Sequence, residues 1–377
     1  MLSMSDPNFE LPLTKNTIET AMAEGLHIGA QLHVSLGSLN AIDWSTGFSR
    51  PGVPMTRDTL MIWLSSGKPV TAVCVGQLWE RGKLQLTDRV SQYIPEFAQG
   101  GKEAITIRQL LVHTGGFRAG ASNWMREDWN ITIARICKGA IEPGWVPGKK
   151  AGYHVAASWF ILGELVRRID GRPFEQYVRE EIFLPLNMPD CWIGIPIEQY
   201  RGYGDRIGIM QNTEGANPKP HTWDALETAT LCKPGANARG PAHQFVRFYQ
   251  MLLNGGELDG TRILNSPTVD AMTARQRIGM FDHTFKHKMD WGYGFVVNNA
   301  MYDDPPGIVR YGYGPYASLR SFGHSGHQSS VAFADPENNL AAVIIFNGTP
   351  GELVHDRRIR ATLKALYEDL DLVGQPL

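Results

Sequence analysis

Cysteine is scarce: Cys74, Cys137, Cys191 and Cys232 are the four in 377 residues, and no C-x-x-C pair occurs. That excludes a zinc-ribbon pattern and gives no basis for a dense disulfide framework. Buried free thiols in a reducing compartment are expected instead. Excess charge is missing as well. The 36 Lys and Arg against 38 Asp and Glu leave a net charge of -2. Neither nucleic acid nor an anionic membrane is implied as a partner. No apolar run reaches the roughly 18 residues that a membrane-spanning helix needs. The opening "MLSMSDPNFELPLTKNTIE" lacks a basic start followed by an apolar segment, so no secretory leader is read and a cytoplasmic location is expected. Internal repeats and low-complexity tracts are absent too.

What remains is an ordinary globular composition, 43% hydrophobic and 20% charged. At about 150 residues per domain, the length suggests two domains, or one large one with an insertion. "LTKNTIETAMAEGL" has helical spacing and stops at Gly25. "IGAQLHVSLG" and "LNAIDWSTGF" read as strands around a turn at Gly37-Ser38. Ser65 to Gly82 reads as a buried helix, with Val70, Val73, Cys74, Leu78 and Trp79 on its apolar positions. "AASWFILGELVRRIDG", "FEQYVREEIFLPL" and "PAHQFVRFYQMLLNGG" continue the helical character. The end changes: "WGYGFVVNN", "SLRSFGHSG", "SSVAFADPE" and "NLAAVIIFNGT" are strand-like, and "ELVHDRRIRATLKALYEDL" closes the chain as an amphipathic helix. The economical fold is mixed α/β (α+β). An antiparallel sheet from both termini, residues 1–85 and 290–377, is flanked by helices, and a mainly helical domain, 86–289, is inserted.

The stretch "LSSGKP" carries the first chemical signal. Ser65 and Lys68 are three apart, so on a helix they share a face. Ser66 has no lysine or histidine at a matching offset. A serine hydroxyl needs a base before it attacks a carbonyl, and a buried lysine can serve. Ser65 at a helix start would also have backbone N–H groups available to a developing oxyanion. Pro69 falls in or near the first turn, where its missing N–H matters least. Three further segments follow in order: "LLVHTGGF" around His113, "PGKKAGYHVAASWFILGELV" with Tyr153, and "FGHSGHQSSVAF" with His324-Ser325-Gly326.

In this order the four segments resemble the serine β-lactamase and penicillin-binding-protein superfamily. The branch most similar is the class C β-lactamase-like one that includes the family VIII carboxylesterases. The likeness covers roughly residues 20 to 370. It implies a β-lactamase/transpeptidase-like fold, Ser65 as acylated nucleophile, Lys68 as the residue sharing its proton, and Tyr153 as base for acylation and helper in activating water. It also implies an oxyanion hole from the backbone N–H groups of Ser65 and His327, with His324, Ser325, Gly326 and Val155 against the substrate. No metal and no cofactor are implied. His113 lies in a family segment and is read as structural.

Two departures bear on substrate. The family's Y-x-N motif is here Tyr153-His154-Val155, so an amide that lactamases use is missing. His324 stands where lactamases have lysine, and a histidine is at most partly charged near neutral pH. Both point toward esters or thioesters, or toward an acyl-transfer relative, rather than a dedicated lactamase. The expectation is a serine hydrolase acting on a small acyl substrate, with water or another acyl acceptor as second partner. Acyl transfer, β-lactamase or DD-peptidase activity, and a non-catalytic relative are the alternatives. "GHSGH" falls short of the G-x-S-x-G elbow because position 327 is histidine. His283 and His287 are read as surface histidines rather than metal ligands. Trp124, Trp129, Trp223, Tyr313 and Tyr316 lie in loop-like stretches and are candidates for an acyl pocket, packing being the simpler role for each.

Overall fold

The computed structural model describes residues 10–37, 39–119, 121, 123–215, 217–302 and 311–374. Residues 1–9, read above for a leader, and Ser38 of the expected turn lie outside the described residues.

Among the described residues seven antiparallel strands form the main sheet: β1 (Gly29–Leu36), β2 (Leu39–Arg50), β3 (Val53–Pro54), β4 (Val296–Val297), β5 (Phe322–Gly326), β6 (Ser330–Asp335) and β7 (Leu340–Phe346). Their order is β4-β5-β6-β7-β1-β2-β3, so the first and last parts of the chain meet where β7 pairs β1, Ala30 opposite Phe346. β7 reads "LAAVIIF" without a polar residue because both of its faces are covered. Leu340, Ala342, Ile344 and Phe346 meet the terminal helices Pro12–Ala23 and Glu352–Asp369. Ala341, Val343 and Ile345 meet the central core. That is the two-residue period of a strand, used on both sides. Each large side chain buried this way contributes about 1.5–3 kcal/mol.

The helix Ala242–Leu253, within the 86–289 stretch, packs on β1, β6 and β7. Polar residues of β1 anchor it: Gln31 Oε1 accepts from the Ala242 N–H, and Ser35 Oγ accepts from Gln250 Nε2. The helix Lys68–Glu80 is buried from Lys68 through Leu78, which explains its apolar character on all sides. It starts later than the spacing predicts. Residues Leu64–Gly67 form a 3₁₀ turn, and the α-helix begins at Lys68.

Two local expectations are corrected. Trp129 is not in a loop but opens the helix Trp129–Lys138. His283 is exposed, yet His287 is buried. The hairpin of Phe281–Asp282 with His287–Lys288 turns His287 inward, stacked on Tyr311 at 5.9 Å. Among the described residues no cluster of His, Cys, Asp or Glu could hold a metal, and no helix is long and apolar enough to cross a membrane. All four cysteines are free; Cys74, Cys137 and Cys191 are buried and Cys232 is half-buried.

Candidate active site

Ser65 sits on a turn the backbone would not adopt unaided. Leu64 has φ +51°, the left-handed region that a branched side chain avoids. Such a conformation costs about 1–3 kcal/mol and persists only where its surroundings enforce it. Trp63 supplies much of that enforcement. Its backbone N–H donates to Ala238 at 2.8 Å and its indole to Gly240 at 2.9 Å. The indole also lies flat on Phe245, 3.7 Å between centroids. Gly67 permits the approach, since a Cβ there would stand 2.5 Å from that of Ala238. Ser66 turns the other way: its hydroxyl donates to the His324 carbonyl on β5 at 3.1 Å, and Ser330 of β6 donates to the Trp63 carbonyl at 2.9 Å. The turn is thus fastened to the sheet edge.

Ser66→Ala is expected to lower stability by about 1 kcal/mol, the usual contribution of a buried hydrogen bond, as a shifted urea midpoint. It should reduce kcat more than it raises KM, because it frees the turn rather than the substrate. An unchanged midpoint would mean the bond to β5 holds nothing.

The Ser65 hydroxyl oxygen accepts from two donors. Lys68 Nζ and the Tyr153 phenol each lie 2.9 Å from it. Lys68 Nζ also donates to the Gly235 carbonyl at 2.6 Å, with the Tyr153 and Trp159 rings 5.3 and 5.5 Å away. The amine is fully buried, which pushes its pKa well below 10.5 and favours the neutral form. Burial drives the Tyr153 phenol the opposite way; the bond to Ser65 opposes this in part and the Asp282 carboxylate adds to it. Tyr153 therefore stays protonated.

Tyr153 is positioned by residues the sequence did not single out. Its N–H donates to Asp282 at 3.1 Å, and Asp282 is held by Arg277 at 3.0 Å, both side chains buried. The same carboxylate takes the N–H groups of Thr284 and Phe285, which seats Phe285 on the Tyr153 ring, 4.7 Å between centroids. His113 and Trp291 close the other sides. His113 Nδ1 accepts from the His154 N–H, and His154 Nε2 accepts from the Phe117 N–H. The histidine of Tyr153-His154-Val155 thus pins a loop, while Val155 is 47% exposed beside the cavity.

His324 is buried. Its Nδ1 donates to the Ser325 carbonyl at 2.7 Å, leaving Nε2 as a bare acceptor with no partner among the described residues. Burial takes its pKa down to about 3, so it is neutral. A neutral acceptor offers a substrate carboxylate nothing to bind.

The cavity at Ser65 measures about 160 Å³. Ser65, Tyr153, Val155, His324, Ser325, Gly326 and His327 all border it. Its apolar wall comes from Phe285, Val296, Tyr311, Val331 and Ile359. None of the five aromatics expected as candidates lines it. Trp129 donates to Glu164, Tyr313 donates to the Val296 carbonyl and stacks on Phe333, and Trp223 stacks on His221. Trp124 and Tyr316 pack against the two cores.

Residues 14–367 match the family model described as beta-lactamase. The chain belongs to the beta-lactamase family. Two solved structures superpose on nearly the whole chain. A penicillin-binding protein homologue from Caulobacter crescentus is 30% identical, with a TM-score of 0.78 over 95% of this chain and 97% of that one. A family VIII carboxylesterase is 26% identical, with a TM-score of 0.79 over 97% and 99%. In sequence, the esterase/beta-lactamase LipL of Mycobacterium tuberculosis is 27% identical over 358 residues, 86% of this chain and 78% of the relative. The fold is the β-lactamase/transpeptidase-like one, and the chain is a hydrolase of the serine β-lactamase fold.

Proposed function

We propose that this family member is a carboxylesterase that works through an acyl-Ser65 intermediate. The observation that carries the reading is the Ser65 hydroxyl bonded at 2.9 Å to both Lys68 and Tyr153 at the floor of an open cavity. Neutral Lys68 takes the serine proton as Oγ attacks the ester carbonyl, the hydroxyl rotating so that it donates into the amine lone pair. The oxyanion is received by the backbone N–H groups of Ser65 and His327. Tyr153, hydrogen-bonded to the same oxygen, relays the proton to the leaving alcohol. Water then cleaves the acyl-enzyme and releases the acid. A cavity of about 160 Å³ is close to the size that accommodates a benzene-sized group, so short acyl chains and small aromatic acids fit.

Two features favour esters over lactams. Val155 supplies no amide to a lactam substrate, and neutral His324 gives no grip on the carboxylate that many lactams carry. The test combines labelling and turnover. A fluorophosphonate should add once, at Ser65, by peptide mapping. p-Nitrophenyl butyrate should be cleaved with a kcat/KM about 100-fold or more above that for nitrocefin, the effect of losing one or two strong polar contacts. Labelling at another serine, or equal turnover of the lactam, would overturn the assignment. Added alcohols and amines in the same assay distinguish hydrolysis from acyl transfer by product.

A further inference from the structure

The cavity that holds the Ser65 hydroxyl contains a second pair of titratable groups. His327 Nδ1 lies 2.9 Å from Glu352 Oε1, and both residues line the same cavity as Ser65. A carboxylate only accepts, so Nδ1 carries the proton and Nε2 presents its lone pair. The contact there, from Gln328 Nε2, is long at 3.4 Å, outside the usual range for a strong bond.

Glu352 is suited to this task. It stands in the first turn of the helix Glu352–Asp369, where the helix dipole favours a negative charge. The bond from His327 holds its carboxyl below the usual range. The helix start is itself fixed by Gln328, whose Oε1 accepts the Gly351 N–H at 2.7 Å. The other titratable groups near His327 are His355 on the same helix and, outside the cavity lining, His221, stacked on Trp223, whose ring lies 6.3 Å from that of His327. His355 is kept neutral by burial and by Arg358, which donates to its Nδ1 at 2.9 Å. Burial lowers His221 too, and it bonds to Thr349. Glu352 is thus the carboxylate bonded to His327, while Asp356, one turn further along the helix, borders the same cavity.

We infer that His327, oriented by Glu352, is the general base that activates water against acyl-Ser65. The inference rests on the acyl-Ser65 reading above and assigns its second half-reaction. Once Ser65 is esterified its proton has left with the alcohol, the buried Tyr153 phenol is protonated and poorly suited to remove another, and Lys68 is fully buried and does not border the cavity that admits water. His327 follows Gly326 directly, so its side chain starts beside the backbone that receives the oxyanion. Water forms a bond to the acyl carbon as Nε2 takes one of its protons. The tetrahedral adduct collapses with cleavage of the bond to Ser65 Oγ, which regains a proton from Tyr153. The proton on His327 restores that of Tyr153 through solvent, and the free acid leaves. His327 is the catalytic residue here and Glu352 a positioning residue.

The test follows the decay of a preformed acyl-enzyme. A hindered ester, p-nitrophenyl pivalate, is mixed with the protein and the Ser65 adduct is tracked by intact mass. In His327→Ala the adduct should still form and should decay about 100-fold more slowly, within the range for loss of a general base. His327 is half-exposed, so the variant should fold. Glu352→Gln should slow decay about tenfold, and Glu352→Asp should recover most of that loss because a carboxylate again takes the Nδ1 proton. Equal decay in His327→Ala and the wild type would overturn the inference while leaving acyl-Ser65 intact. A wild type that forms no adduct at Ser65 would overturn both.

Discussion

Ser65→Ala should reduce kcat/KM for p-nitrophenyl butyrate by roughly 10⁴-fold or more, the scale seen when a serine nucleophile is removed and only binding and the oxyanion site remain. The fold should be little affected. Ser65 is half-buried, and its hydroxyl only accepts in the two bonds that define the site. Without it Lys68 keeps the Gly235 carbonyl, and the Tyr153 phenol loses one acceptor at an open cavity that water can reach. The urea midpoint should therefore move less than in Ser66→Ala, whose hydroxyl ties the turn to β5. Two adjacent serines are thereby separated by readout, one in turnover and one in stability. Activity within tenfold of wild type in Ser65→Ala would remove this residue from the reaction.

How legible each feature was in the sequence depends on how local its physics is. Ser65 and Lys68 meet within one helical turn, so spacing alone brought them together. Tyr153 lies 88 residues from Ser65, and only its place in a familiar order of motifs pointed to it. The apolar runs of β6 and β7 declared buried strands. The features that hold the site were silent because their partners are remote. Ser66 bonds across 258 residues and Asp282 reaches Tyr153 across 129. Nothing in "FDHTFKH" distinguishes an aspartate that caps a turn and holds a tyrosine from one in solvent. The same segment misled on His287, because strand alternation in a short hairpin, not composition, turns it inward. The candidate aromatics failed for a related reason. Which ring lines a cavity is set by loop paths, and here Phe285 and Tyr311 arrive there while Trp129 and Tyr313 are spent on helix and sheet packing. A leucine at positive φ before the nucleophile is the least expected feature, since local preference argues against it and only the surrounding bonds make it possible.

Lys68→Met should separate activity from stability more sharply than any other change. Activity should fall by roughly 10³-fold or more, because the remaining neighbour, the Tyr153 phenol, is pushed upward by burial and cannot take the serine proton near neutral pH. Stability should rise. Methionine matches the length and flexibility of the lysine stem and needs no hydration, which outweighs the loss of the bond to the Gly235 carbonyl. The sign follows from the direction of the lysine shift. Its folded pKa lies well below 10.5, so between that value and 10.5 the unfolded chain binds a proton that the folded chain does not. Wild-type stability therefore rises with pH through this window, by about 1.4 kcal/mol for each unit of separation, and the penalty is largest below the folded pKa. In Lys68→Met that contribution disappears. Its advantage over the wild type should be greatest at low pH and shrink as pH approaches 10.5. Urea denaturation of both proteins from about pH 6 to pH 10, beside kcat/KM for the same ester, measures all of this. A variant less stable than the wild type at pH 7, with the same pH slope, would mean that the amine enters the fold charged and that a neutral lysine is not the base.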